Sequence, residues 1–232
     1  MGDWIVALAV VVLAVAASLY LGRSRVSPKA VMVPPLPRPP ELTGALEHQI
    51  AEFEAAGLKL NPAITLADLL HSYPASEYAG DPYRLLLFMY GSEVEREPWG
   101  RRICDAVLNF DYECIDGKGS YVRIAEDFAR LAGVRDLLSD LRDDADLARE
   151  TGTLTYSARG ELRSVPFRID NDWADPKAVQ AILSDMQHLA GEGRTFWGSD
   201  NGQSVILVFV DKPTSTRLNK LAMDLLEAQL KP

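Results

Sequence analysis

The sequence predicts an α+β fold: an antiparallel sheet of strand-strand-helix units with helices packed on one face, preceded by a single N-terminal transmembrane helix. Three observations support this prediction. The chain opens with an uncharged apolar run of membrane-spanning length. Two later segments read as hairpins, because each contains two strand-like runs joined at a glycine. Runs with apolar residues three and four positions apart follow these pairs and indicate amphipathic helices.

The first element is the apolar run from Trp4 to Leu21, which carries no charge. As a helix it would be about 27 Å long, close to the hydrocarbon thickness of a bilayer. A cleaved signal peptide is the competing interpretation, but it would begin with basic residues, whereas this chain begins with Met-Gly-Asp. We therefore expect residues 1–22 to form an uncleaved anchor that contacts the lipid bilayer through residues 4–21.

Residues 23–40 read as a basic, proline-rich linker with six prolines, typical of an extended spacer. Arg23, Arg25 and Lys29 follow the apolar run, and only Asp3 precedes it. The positive-inside rule then places the C-terminal side in the cytoplasm, so we expect a single-pass protein of the cell membrane. The stretch PPLPRPP is also typical of ligands for domains that bind proline-rich peptides.

Residues 41–232 form the predicted acidic α+β domain. The first 40 residues carry a net charge of +3, and the whole chain carries −9, so this domain carries −12. Such a charge disfavours nucleic acid, whose phosphates it would repel. It suits a basic protein partner, or it serves only solubility.

The domain begins with two predicted helices. Leu42, Leu46, Ile50 and Phe53 share one face of the first helix, which Gly57 ends, and Thr65 caps a short second helix that runs through Ser72. The next two elements are predicted strands. They are YRLLLFMYG after Pro82, an apolar run of strand length, and the segment at 108–114, where Leu108, Phe110, Tyr112 and Cys114 alternate with polar residues.

Helices and hairpins fill the remainder of the domain. A helix is predicted from Tyr121 to Ala132, followed by a second helix over about 134–145, whose charged residues would also suit a strand or loop. A hairpin turns near Gly160, and Pro166 marks its second strand as an edge or a bulge. Asp175 caps the next helix, Asn201-Gly202 forms the turn of another hairpin, and Ser215 or Thr216 begins the last helix.

Carboxylates are the abundant reactive groups in this domain. Asp111 and Glu113 point to the same side of their predicted strand, and Asp116 follows in the turn. A second acidic group contains Asp170, Asp172 and Asp175 around Trp173. Acids beside an aromatic residue can dock a basic protein, so the candidate binding residues are Asp111, Glu113, Asp116, Asp172 and Trp173. The alternative is a solvated strand face and a helix cap with no ligand.

Other kinds of site find little support. The chain contains no G-x-S-x-G elbow, and His48, His71 and His188 lie in predicted helices without obvious partners. The stretch DGKGS, residues 116–120, resembles the end of a phosphate-binding loop but lacks its first glycine. Cys104 and Cys114 suit free thiols in a reducing compartment. We expect no cofactor and no structural metal.

These observations predict a membrane-tethered, non-catalytic protein-binding module of scaffold, adaptor or inhibitor type, presenting an acidic domain at the cytoplasmic face. Its layout resembles that of bacterial division-ring tethers, and its acidic α+β composition resembles that of immunity proteins that neutralise toxins. One alternative is a metal-dependent hydrolase that uses Asp111, Glu113 and Asp172, whose carboxylates would have to converge. Another is an envelope scaffold that self-associates and binds no soluble ligand.

Overall fold

The structure, a computed structural model, describes residues 39–222 and 224–229. The predicted anchor and residues 23–38 of the predicted linker lie outside the described residues. The described residues form an α+β fold with antiparallel sheets and helices. None of the helices in this described part is both long and apolar enough to cross a bilayer.

The helices are α1 (Pro39–Ala56), α2 (Leu66–Ser72), α3 (Ala75–Gly80), α4 (Arg84–Tyr90), α5 (Ser120–Ala132), α6 (Pro176–Ala190) and α7 (Lys212–Leu221). The strands are β1 (Val107–Asp111), β2 (Leu138–Asp143), β3 (Thr151–Ala158), β4 (Glu161–Asp170), β5 (Trp173–Ala174), β6 (Thr195–Asn201), β7 (Ser204–Val210) and β8 (Glu227–Ala228). A short 3₁₀ helix, Arg135–Leu137, precedes β2.

The strands form two antiparallel sheets rather than the single sheet that the sequence predicts. The first sheet has the order β1-β7-β6-β8, and the second has the order β2-β3-β4-β5. Helices α5 and α6 lie between the two sheets and pack against both. Helices α1, α2, α3, α4 and α7 all contribute side chains to the core on the opposite face of the first sheet. The prediction of helices on one face is therefore wrong, because the first sheet is covered on both.

Strand β7 shows why the first sheet needs two helical layers. Every residue from Ser204 to Phe209 is buried. Val205, Leu207 and Phe209 contact the core with α5 and α6, whereas Ile206 and Val208 contact the core with α1 and α4. A strand with apolar residues on both faces requires cover on both faces.

Most helix boundaries agree with the sequence signals. Thr65 and Asp68 form a capping box at α2, and the Asp175 carboxylate accepts a hydrogen bond from the Lys177 backbone N–H at the start of α6. In α5 the predicted apolar face is buried throughout, namely Tyr121, Ile124, Ala125, Phe128 and Leu131.

Four predicted elements differ in the structure. The run at Arg84–Tyr90 is helix α4, and most of the predicted helix over 134–145 is strand β2. Helix α7 begins at Lys212 after an Asp211 cap, earlier than predicted. In the β6–β7 hairpin Asn201 pairs with Ser204, so the turn residues are Gly202 and Gln203.

Candidate functional site: the Trp173 surface

The candidate site lies where the segment after β1 meets strand β5. The Ala174 backbone N–H donates to the Tyr112 carbonyl oxygen at 2.7 Å, and the Ile115 N–H donates to the Asp172 carbonyl oxygen at 2.9 Å. Glu113 and Trp173 form a β-bridge between these two bonds. The two acidic segments that the sequence singles out are therefore neighbours, although sixty residues separate them.

Trp173 lies between two acidic residues on this surface. It is opposite Asp170 across the β4–β5 pair and opposite Glu113 across the bridge. Residues directly opposite in antiparallel strands share a face, with Cβ atoms about 5 Å apart. The Trp173 side chain is 39% exposed, and Glu113 and Asp170 are also exposed. We call Asp111, Glu113, Asp170, Asp172 and Trp173 together the Trp173 surface.

Asp111 and Glu113 lie on the same side, as predicted, and a third residue joins them. The Gln203 side-chain amide lies 3.1 Å from the Glu113 carboxylate and 3.4 Å from that of Asp111. The Glu113 N–H also donates to Asp111 Oδ1 at 2.9 Å. Nothing in the sequence indicates Gln203 as a site residue, because it reaches Asp111 and Glu113 only through the fold of the β6–β7 turn.

Asp116 is part of a separate ion pair. Its Oδ1 accepts hydrogen bonds from Ser120 Oγ at 2.7 Å and Arg123 Nη2 at 2.6 Å. These two donors hold the pKa of Asp116 below its usual value. Since Arg123 compensates its charge, Asp116 adds little to the acidic potential of the Trp173 surface.

The adjacent thiol is not activated. Burial is the main factor that raises the pKa of Cys114 to about 11, and the neighbouring Asp111 raises it further. A thiol with this pKa is protonated at neutral pH and is a poor nucleophile. Cys104 and Cys114 are both free, and they pack against different cores.

The hydrolase alternative requires converging carboxylates. Within residues 39–222 and 224–229, no three Asp, Glu, His or Cys side chains come together as metal ligands. The Asp111, Glu113 and Asp172 carboxylates therefore do not meet the requirement of that hypothesis.

A cleft of about 830 Å³ opens beside Trp173. Its lining residues are Thr151, Pro166, Phe167, Arg168, Asp170, Trp173, Ala174, Asp175, Pro176 and Lys177. Strand β5 covers only the last two residues of β4, so the β4 edge is open at Pro166. Pro166 offers no N–H, and the Asp175 carboxylate accepts the Arg168 N–H at 3.0 Å. An extended segment of a partner could therefore not pair with β4 as an additional strand at this edge. The cleft is better suited to contacts with the side chains of a ligand.

The DGKGS stretch does not form a free anion-binding loop. The Asp143 carboxylate, from β2, accepts hydrogen bonds from the Gly119, Tyr121 and Val122 backbone N–H groups at 2.9–3.2 Å. A phosphate would have to displace this carboxylate from the N-terminus of α5. The loop is therefore a helix start capped from another strand.

A second exposed tryptophan has no counterpart in the sequence predictions. Trp99 lies at the tip of the loop after α4, and its side chain is 68% exposed. The motif EPWG, an aromatic residue among turn formers, is the signal that could have indicated it.

Comparisons of this chain with family models, with curated proteins and with solved structures found no match.

Proposed function

We propose that this chain is a membrane-tethered, non-catalytic binding module that uses the Trp173 surface to dock a basic segment of a protein partner at the cytoplasmic face. The observation that carries the proposal is the position of Trp173 between Glu113 and Asp170. The face of an indole ring attracts a Lys or Arg cation, and carboxylates on either side add charge-assisted hydrogen bonds.

The charge of the domain favours the same kind of partner. A net charge of −12 over residues 41–232 accelerates encounter with a basic protein and suppresses encounter with acidic ones. The cleft beside Trp173 adds concave surface for the residues that flank the docked cation. Its own cations, Arg168 and Lys177, can pair with acids on either side of a basic segment.

The tether in this proposal is the apolar run at 4–21, joined to the domain by the proline-rich linker. A cysteine placed in the linker of a Cys104→Ser/Cys114→Ser variant tests its orientation in intact cells. Protection from an impermeant thiol reagent is expected, whereas labelling would place the domain on the other side of the membrane.

The docking surface is tested by photo-crosslinking in cells with a photoreactive residue in place of Asp170. We expect crosslinks to a Lys- or Arg-rich segment of a partner, and we expect Asp111→Lys/Glu113→Lys to abolish them. The same photoreactive residue at exposed Glu161, at the other end of β4, is the control for position.

The matched charge control is Glu47→Lys/Asp105→Lys. It changes the net charge by the same amount as Asp111→Lys/Glu113→Lys, but at exposed residues elsewhere, one before and one after α4. Crosslinks that survive the Asp111→Lys/Glu113→Lys change would assign the partner to another surface. Crosslinks lost equally in both double variants would show that net charge alone attracts the partner.

A further inference from the structure

The loop between α4 and β1 is a short hairpin that carries an exposed tryptophan. Its arms are joined by backbone hydrogen bonds from Ile103 to Ser92 at 3.1 Å and from Val94 to Arg101 at 2.9 Å. We call residues 92–103 the Trp99 hairpin. Val94 and Ile103 are buried in the core, whereas the Trp99 side chain at the tip is 68% exposed.

A buried carboxylate holds both arms of this hairpin. Asp68 is 2% exposed, and its Oδ1 accepts hydrogen bonds from Arg96 at 2.8 and 3.0 Å and from Arg101 at 3.0 Å. Arg101 also donates to the Pro98 carbonyl oxygen at 2.9 Å, next to Trp99. The tip is therefore held in place before any ligand arrives, which lowers the entropy cost of binding.

The Trp99 hairpin and Asp68 together carry a small negative charge. Asp68 compensates only one of the charges of Arg96 and Arg101, and Glu93 lies opposite Arg102 in a β-bridge. Within the described part of the chain, Glu95 and Glu97 are exposed and form no ion pair, and they bring the net charge to −1. An indole beside two carboxylates attracts an ammonium group. The amine headgroups of zwitterionic phospholipids carry such a group, and tryptophan favours the headgroup level of a bilayer. Anionic lipids would be repelled.

The Trp99 hairpin packs with α1, α2, α4 and α7, which we call the helical layer. The chain enters this layer at α1, directly after the linker. Val94 and Ile103 share a core with Leu46 and Phe53 of α1, and α1 begins at Pro39, directly after residues 1–38. Trp173, by contrast, lies on the second sheet, beyond the other core. In the proposed tether, residues 23–38 could span at most about 50 Å at roughly 3 Å per residue, which would keep the domain near the membrane. Tethering of this kind lets a weak contact be occupied.

We propose that the Trp99 hairpin docks on the amine headgroups of a zwitterionic bilayer and turns the helical layer toward the membrane, leaving the Trp173 surface facing the partner. This inference rests on the tether of the proposed function. The ligand is the lipid surface itself, recognised by Trp99 with Glu95 and Glu97.

The test compares two variants of the full chain in phosphatidylcholine–phosphatidylethanolamine vesicles that contain bromine-labelled lipid. Trp4→Phe/Trp173→Phe keeps Trp99, and Trp4→Phe/Trp99→Phe keeps Trp173. Both retain Trp197, which is buried in the core and contributes equally. We expect bromine to reduce the emission of the first variant and to leave that of the second unchanged.

Flotation with the vesicles separates the tether from the hairpin contact. A chain that fails to float overturns the tether and this inference together. If the full chain floats but bromine quenches neither variant, this inference alone is overturned. The same holds if bromine quenches only the variant that keeps Trp173. We also expect phosphatidylglycerol to reduce the Trp99 quenching, and Glu95→Gln/Glu97→Gln to restore it. Quenching that rises with phosphatidylglycerol would exclude amine headgroups as the ligand.

Discussion

Asp68 is a buried carboxylate that links helix α2 to the Trp99 hairpin. Burial opposes its ionisation and would raise its pKa, but hydrogen bonds from Arg101, Thr65 and Arg96 outweigh burial and hold the pKa far below its usual value. One carboxylate thereby joins α2 to both arms of the Trp99 hairpin. A buried ion cluster of this kind fixes geometry, and removal of one member leaves the others uncompensated.

Asp68→Asn is expected to lower the free energy of unfolding by about 3 kcal/mol at neutral pH, measured by urea denaturation. A folded-state pKa below the unfolded value means that the Asp68 contribution is complete above about pH 4 and is lost as pH falls further. The wild type should therefore lose more stability than Asp68→Asn on acidification below pH 4. Asp105→Asn, at an exposed position, is the control, and an equal acid sensitivity of all three proteins would contradict the assignment.

At the residue scale, Asp111, Glu113 and Trp173 were singled out because alternation and local composition are visible along the chain. The structure brings their segments together, and their role in binding stays a prediction. Asp116 could not be excluded, because its partner Arg123 is one helical turn inside α5 and only the folded turn aligns them. Gln203 and Trp99 gave no signal of comparable strength.

At the scale of elements, α4 and β2 show where periodicity fails. The α4 run is apolar almost throughout, and a short run without period suits a buried helix as well as a strand. Its helical form is supported by contacts with α1, where the Phe53 and Tyr90 rings meet edge to face at 5.3 Å. Strand β2 reads as helix from sequence, but its pairing with β3, through a bulge near Asp140, makes it a strand.

Helix α5 depends on a residue from another element. Gly119, at its N-cap position, has no side chain to accept the first backbone N–H groups, and Asp143 of β2 accepts three of them. This contact also joins α5 to the second sheet. The sequence gives no indication of it, because the cap lies more than twenty residues away.

We predict that Asp143→Ala lowers the free energy of unfolding by about 1 kcal/mol, the usual cost of losing a helix cap. Asp136→Ala, an exposed acid just before β2, should change it by less than about 0.5 kcal/mol. Hydrogen exchange should show faster opening of the first turn of α5 in Asp143→Ala alone. Equal stability of the two variants would mean that solvent satisfies those N–H groups as well as the carboxylate does.

At the scale of the whole molecule, two hydrophobic cores lie on opposite faces of the first sheet. One lies between the first sheet and α1, α2, α4 and α7, and the other holds α5 and α6 between the two sheets. The pattern of contacts divides the chain between residues 37 and 38, and both cores lie C-terminal to this boundary. We therefore expect the domain to fold without residues 1–37.

A chain that begins at Arg38 is expected to unfold in urea with the same free energy as the full chain, within about 0.5 kcal/mol. It should remain in the aqueous phase when vesicles are floated, whereas the full chain should float, because the apolar run at 4–21 is absent from the shorter protein. A full chain that stays in solution would contradict the proposed anchor. A large loss of stability on truncation would show that residues 1–37 contribute to the folded domain.

The sequence by itself determined those features whose cause is local: the caps of α2 and α6, the apolar face of α5, the alternation through β1, and the positions of both hairpins to within one residue. Tertiary structure alone decided the helical state of α4, the strand state of β2, the second sheet and the cover on both faces of the first. It also assembled the Trp173 surface and fastened the Trp99 hairpin to Asp68. The physical reason is that caps, turns and periodic faces are encoded by neighbouring residues, whereas pairing between distant strands and burial of a distant carboxylate are not.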